Sequence, residues 1–367
     1  MRTRLALAVL VLAACSRGPA GKVAKVEELG ALQQSPLIVG RDGAETARVW
    51  GQEVWAFGDT FLSVPNAQGF NFVSNTFSIS ATAVIDGGLA LADRLDDAGA
   101  PLSLFQPTSD ELAVDLAHQQ LPDGGCLETP CGQRWATWPG AIVFDADAGT
   151  ALAFYGLVTA APGDFNFQGV GQSMAMWSSF DALPTRPAFN VCADQPMALF
   201  CQDEPSFGSA AVEQDGFIFA FGCNKRGFNW PCKLARVPFA QAQQRSAWQF
   251  WNGSDWSSKL GDAAEVFDGA SILNVSFNAH LGQWLVVYSA PLSNDVKYRT
   301  APKLTGEWSG EATLFTTDRQ DAGGTSYDAL LHSELSEDDG RILYVTFSRP
   351  TPGWFNSEFA LVRITLE

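Results

Sequence analysis

Positive charge is scarce in this sequence: 23 Lys and Arg stand against 40 Asp and Glu, a net charge of −17 at pH 7. An acidic surface of that kind excludes nucleic acid and anionic membrane faces as partners, since both need a basic patch. Histidine is scarcer still, with only His118, His280 and His332, and no C-x-x-C occurs. The residue types and spacing of a zinc site are therefore missing, and no metal or cofactor is expected, with an axial Ca²⁺ left open. No serine-nucleophile elbow, P-loop or dinucleotide fingerprint appears either. Sustained helical periodicity is nearly absent, "SDELAVDLAHQQL" (109–121) being the main exception.

Long apolar runs are also missing. The first residues, "MRTRLALAVLVLAACS", hold two arginines and an apolar run from Leu5 to Leu12. That run is too short for a bilayer span, which takes about 20 residues, and has the form of a signal h-region covering 1–14. Leu12-Ala13-Ala14-Cys15 resembles the bacterial lipobox, which implies lipidation of Cys15; the alternative is an ordinary signal peptide cut after Ala14. Ser16 stands where an inner-membrane retention signal would place Asp, which points to an outer-membrane lipoprotein or a secreted protein. Membrane contact would then run through the lipid alone. Residues 15–35, mixed and glycine-containing, read as the lipidated cysteine and a linker. A single monomeric domain is expected over 36–367.

Six cysteines follow Cys15 in three local pairs: Cys126/Cys131, Cys192/Cys201 and Cys223/Cys232. An even count in an exported chain reads as disulfides, and local pairing is the simplest of 15 connectivities.

What the chain has in abundance is turn residues and aromatics: 34 Gly, 19 Pro and 12 Trp between short alternating stretches. This is an all-β signature. Five segments share one form, an alternating strand, a turn and an apolar strand: 39–61, 139–158, 207–224, 274–290 and 327–348. Further strands are expected at 75–92, 232–239 and 296–302, giving units of about four strands. Five such units predict a five-bladed β-propeller, with a two-domain β-sandwich as the rival. No Pro/Gly/Ser-rich linker divides the chain after residue 35, which argues against the rival.

The order Gly58-Asp59-Thr60, Ser74-Asn75, "FGSAAVEQDGFIFAFG", "LARVPF" followed by "WQFWNGSDW", "NVSFNAHLGQWLVVY" and "RTAPKLTGEWS" resembles the bacterial domain-of-unknown-function family 4185. The resemblance spans about residues 36–366. It implies a five-bladed propeller and, because some members are endo-D-arabinanases, cleavage of a furanoside polymer. Insertions such as 93–134, with its Cys126/Cys131 pair, fall outside the family's pattern.

In a propeller hairpin the first strand starts, and the second ends, at the same mouth of the axial channel. Asp42 and Asp59 occupy those positions. If the turn is Trp50-Gly51 they are direct cross-strand neighbours; if it is Gly51-Gln52 they are diagonal. Either way two carboxylates meet at the mouth, which suits glycoside hydrolysis, one holding a proton for the leaving oxygen and the other ionised. In family terms, these two are the catalytic pair. Aspartate at a strand end also serves, more commonly, to cap a turn.

Asp203, Glu204 and Asp328 lie at other mouths as secondary candidates. Arg41, Asn75, His280 and His332 are candidates for orienting hydroxyls or carboxylates. Trp138, Trp230 and Trp354, in loops, are candidates for stacking on sugar faces, whereas Trp55, Trp248, Trp284 and Trp308 are read as core. The function expected is a surface-tethered hydrolase acting inside a D-arabinan-type polysaccharide. The alternatives are a non-catalytic carbohydrate-binding or adhesion lipoprotein and an envelope scaffold.

Overall fold

The structure, a computed structural model, describes residues 17–81, 88–121, 124–163, 166–318, 325–352 and 357–367. Cys15, the segment before it and Trp354 lie outside the described residues. The described chain is all-β apart from one α-helix and short 3-10 turns. No helix among the described residues is long and apolar enough to cross a membrane.

Each of the five expected hairpins forms, and each opens a sheet. The first pairs Glu45–Val49 with Gln52–Phe57 and continues through Thr76–Ser80 and Leu91–Asp93. The second runs Arg134–Asp145, Thr150–Ala160, Phe167–Trp177, Phe200–Cys201. The third begins Ala210–Gln214, Phe217–Cys223, Pro231–Pro238, and the fourth is Asn274–Asn278, Gln283–Ser289, Asp295–Ala301, Ala312–Thr316. The fifth takes Tyr327–Leu331, Ile342–Pro350 and Ser357–Leu366, and its outer edge is Val23–Ala31 from the other end of the chain. The expected linker over 15–35 is therefore corrected in part: Val23–Ala31 is a strand, paired from Val23 opposite Leu366 to Ala31 opposite Ala360. Its residues are half-buried or exposed, as suits an outer edge strand, with Val23, Glu27, Leu29 and Ala31 on the more covered face.

Side-chain alternation explains how the sheets stack. Along Gln52–Phe57, Val54 and Ala56 point into a core shared with Ile142 and Ala153 of the second sheet. Trp55 and Phe57 point the other way, into a core shared with Leu330, Tyr344 and Leu361 of the fifth. Leu152 and Phe154 pack with Ile218 and Ala235, Phe221 packs with Val286, and Leu285 packs with Leu331 and Val345. Five cores thus lie between successive sheets, the last joining the fifth sheet to the first. A middle strand that serves two cores must be apolar on both faces, which is why each hairpin's second arm reads as a nearly unbroken apolar run.

Trp50 (φ 47°) and Gly51 (φ 77°) form the first hairpin's turn, both left-handed as a type I′ turn requires. The cost of a left-handed Trp is offset by its ring, which packs edge-on against Phe144, Trp177 and Phe180. The one α-helix, Ser109–His118, starts at the periodic segment, where Thr108 and Glu111 make a reciprocal capping box.

All three local cysteine pairs are disulfides. Cys126 and Cys131, with Cα atoms 5.4 Å apart, close a short loop between the helix and the second sheet. Cys192 is joined to Cys201, which lies in the last strand of that sheet. Cys223 is joined to Cys232, its direct cross-strand partner in the third sheet. Trp55 and Trp248 are buried, while Trp284 and Trp308 pack against the core between the third and fourth sheets.

Candidate active site

The first hairpin has Glu45 opposite Ala56 and Val49 opposite Gln52, so the turn is Trp50-Gly51. Beyond the hairpin the same register sets Arg41 opposite Thr60. Asp42 therefore faces Asp59: the Asp42 amide donates to the Asp59 carbonyl at 3.3 Å, and the Gly58 amide donates to the Asp42 carbonyl at 2.8 Å. Of the two registers open to the sequence, the directly opposed one is present.

Each residue of Gly58-Asp59-Thr60 has a physical reason. A Cβ on Gly58 would fall 2.5 Å from Asp42 Oδ1, so only glycine leaves room for that carboxylate. Thr60 is fully buried and its hydroxyl donates to the Gly58 carbonyl at 2.9 Å, tying the strand end into a fixed bend. Asp59 is left facing outward, its side chain 20% exposed.

The Asp59 carboxylate takes two side-chain donors. Arg134 Nη2 lies 2.7 Å from Oδ2, and Trp138 Nε1 lies 2.9 Å from Oδ1. Both come from one face of Arg134–Asp145, the first strand of the second sheet. Arg134 was not among the sequence candidates. The available signal was period-2 alternation, which sets Arg134 on the same face as Trp138. Its guanidinium also sits 4.2 Å over the Phe72 ring, which in turn stacks on Phe61 at 4.1 Å. Those phenylalanines belong to a small sheet of Ile38–Arg41, Thr60–Leu62 and Phe72–Val73.

The segment before this strand supports it. Asp115 Oδ1 accepts from the Trp135 amide at 2.7 Å, and the Gly132 amide, next to the disulfide-bonded Cys131, donates to the His118 carbonyl at 2.6 Å. The helix is held in turn by a buried bidentate pair between Glu111 and Arg186, at 2.6 and 2.8 Å. The helix thus positions the strand that carries the cation on Asp59.

Asp328 joins the pair from the fifth sheet. Its Oδ2 accepts from the Gly43 amide at 3.2 Å, and its own backbone is left-handed (φ 52°). Burial lifts all three carboxyls above their ordinary range, Asp328 to about 6. For Asp42 the causes are burial first, then the charges of Asp59 and Asp328, offset by Arg134 and the Asp59 amide. For Asp59 burial is opposed by Arg134 and Trp138 directly. Two acidic neighbours thus favour the protonated form of Asp42, whereas a cation and an indole donor favour the ionised form of Asp59. Behind Asp328, Glu45 is raised by burial and by Asp328 and Glu334, and Glu334 itself is pushed up to about 7.

Several sequence candidates stand elsewhere. Arg41 points away from Asp42, as neighbours along a strand must; its guanidinium is buried on Phe57, 3.1 Å from Asp93. Asn75 is buried and holds Thr137 and the backbone of Phe105. His332 is fully buried between the Thr46 and Thr346 hydroxyls, and burial lowers it to about 3. His280 lies at the tip of its hairpin, on the Glu367 carbonyl. Glu204 is paired with Arg245 at 2.8 Å and accepts from the Cys201 amide, while Asp203 is exposed in the same turn. The orienting roles expected of Arg41, Asn75, His280 and His332 are not what these contacts provide, and Glu204, a secondary candidate, is engaged by Arg245 and the Cys201 amide. Trp230 lines a cleft beside Asp328. No cluster of three or more His, Cys, Asp or Glu among the described residues has the geometry to hold a metal ion.

Residues 129–354 match the family described as Domain of unknown function (DUF4185). The chain belongs to that family. The DUF4185 match contains Arg134, Trp138, Trp230 and Asp328, whereas Asp42 and Asp59 precede it. The match begins at residue 129, so Cys131 and Arg134 lie inside the family's span, while Cys126 and the helix before it lie outside. The Cys126–Cys131 disulfide therefore straddles the boundary and ties the preceding segment to the matched one.

No curated protein matches the chain. Among solved structures it is similar to a candidate hydrolase from Bacteroides ovatus, at 15% identity and TM-score 0.58, covering 92% of this chain and 87% of that one. It is also similar to an exo-β-1,3-galactanase from Phanerochaete chrysosporium solved with β-1,3-galactotriose, at 11% identity and TM-score 0.50. That match covers 92% of this chain and 63% of the galactanase. At these identities the likeness is one of fold.

Proposed function

We propose that this DUF4185 protein is a five-bladed propeller glycoside hydrolase, anchored to the bacterial envelope through Cys15, that cuts internal furanosidic bonds of a D-arabinan-type polysaccharide. The observation that carries the reading is Asp42 directly opposite Asp59 at a strand end, with Asp59 held by Arg134 and Trp138. The five sheets and their five shared cores support the blade count, and the galactanase among the similar folds supports a polysaccharide ligand.

The chemistry follows from the difference between the two carboxyls. Asp42, crowded by two negative neighbours, holds a proton and gives it to the glycosidic oxygen as the C–O bond breaks. Asp59, kept ionised by a cation and an indole N–H, attacks the anomeric carbon or takes a proton from the attacking water. Asp328 adds negative charge that keeps Asp42 protonated and stabilises the positive charge developing on the sugar ring.

The test is incubation of the protein with mycobacterial arabinogalactan and lipoarabinomannan, with L-arabinan as control, and chromatography of the products. Oligosaccharides from the D-arabinan polymers, reduced about 10²- to 10⁴-fold in Asp42→Asn and Asp59→Asn, are expected. Undiminished release by both variants, or no product from any polymer, overturns the proposal.

A further inference from the structure

A cleft of about 150 Å³ opens beside the aspartates, and its lining includes Trp230, Ser289, Leu292, Ser326, Tyr327 and Asp328. Asp328 belongs to both places, so the cleft and the acid cluster are continuous. The volume holds about five waters, the scale of one sugar ring rather than of a drug-sized ligand. Its chemistry is mixed in the way sugar recognition needs: hydroxyls along the walls and the flat indole of Trp230. That tryptophan is held in place, since its carbonyl accepts from the Gly269 amide at 2.9 Å and its ring packs on the core between the third and fourth sheets.

The lip of the cleft is apolar without serving any core. Leu292, which lines the cleft, is 88% exposed. Tyr327, 37% exposed, lines the cleft, and the charges of Asp42, Asp59 and Asp328 all reach its hydroxyl. At Asp59 itself, Trp138 packs edge-on against Phe167, which is 49% exposed. Aromatic side chains thus meet the acid cluster both at Asp59 and at Asp328.

We propose that this cleft is the subsite for the sugar residue adjoining the one at the aspartates, with Trp230 as its platform and Tyr327 as a wall. The inference rests on the hydrolase reading above. With aromatic side chains at both Asp59 and Asp328, a polymer crosses the site rather than ending in it.

The test introduces bulk without touching the aspartates. Ser271 lines the cleft and is exposed, so Ser271→Trp fills the cleft from a position that no core depends on. Tetrasaccharides of D-arabinofuranose, L-arabinofuranose and β-1,3-galactose are titrated calorimetrically into Asp59→Asn and into the Asp59→Asn/Ser271→Trp double variant. Turnover of the polymers by the wild type and by Ser271→Trp is measured in parallel, and thermal melting checks the fold. The expected result is a tenfold or greater weakening of tetrasaccharide binding and a shifted product length with Ser271→Trp. Wild-type turnover combined with unchanged binding and product lengths in Ser271→Trp overturns the subsite and leaves the hydrolase reading standing. No turnover and no tetrasaccharide binding by any variant overturns both.

Discussion

Gly58 leaves the space that the Asp42 carboxylate occupies: an alanine Cβ there would lie 2.5 Å from Oδ1. The backbone at Gly58 is not left-handed, so alanine is compatible with the chain but not with the position of the carboxylate. Gly58→Ala is expected to fold with a melting temperature close to the wild type and to lose about 10²-fold in kcat/KM, because a reacting group is displaced. Arabinan turnover beside a thermal melt checks this. Full activity in the variant would mean that the position of Asp42 is not critical.

Arg134 lowers both members of the pair, Asp59 by charge and hydrogen bond and Asp42 by charge. Removing a cation raises the pKa of a neighbouring carboxylate. Arg134→Met is therefore expected to move the acid limb of the pH profile of kcat/KM to higher pH by about one unit or more. Arg134→Lys restores part of the shift. A purely structural arginine would lower the plateau and leave the limb in place.

Asp328 is raised to about 6 by burial, against an ordinary value of 3.8. Between those values the folded state binds more protons than the unfolded state, so stability falls as pH rises through the window. The contribution is fully present below pH 3.8 and lost above pH 6. Asp328→Asn is expected to raise the melting temperature at pH 7.5 and to leave it unchanged at pH 3.5, while lowering activity. A melt that shifts equally at both pH values would show that ionisation is not the cause.

The sequence carried the hairpins because they are local, but it left two registers open for the first; the left-handed Trp50-Gly51 turn is what sets Asp42 opposite Asp59. The three disulfides are local for the same reason. Arg41 stands next to Asp42 in the sequence, but successive strand residues face opposite ways, and Asn75 spends its side chain on Thr137 and the Phe105 backbone. Arg134 escaped notice because a charge at a strand start looks solvated, and its target is 75 residues earlier. Asp328 was visible only as an isolated mouth residue. What brings it to Gly43 is closure of the fifth sheet against the first, a contact 285 residues long that no local pattern encodes.

The same closure sets an order of events. Val23–Ala31 completes its sheet only by pairing with Ser357–Leu366, and the Glu367 amide reaches back to the Lys22 carbonyl at 2.9 Å. As the chain emerges amino end first, its earliest strand has no neighbour until the final strand has been made. Joining the two closes nearly the longest loop the sequence allows, the slowest kind of contact for a chain to find. For that interval Val23–Ala31 is an unpaired edge with hydrogen-bonding groups open to other chains, and the late docking of the two ends is the step at which assembly and aggregation compete.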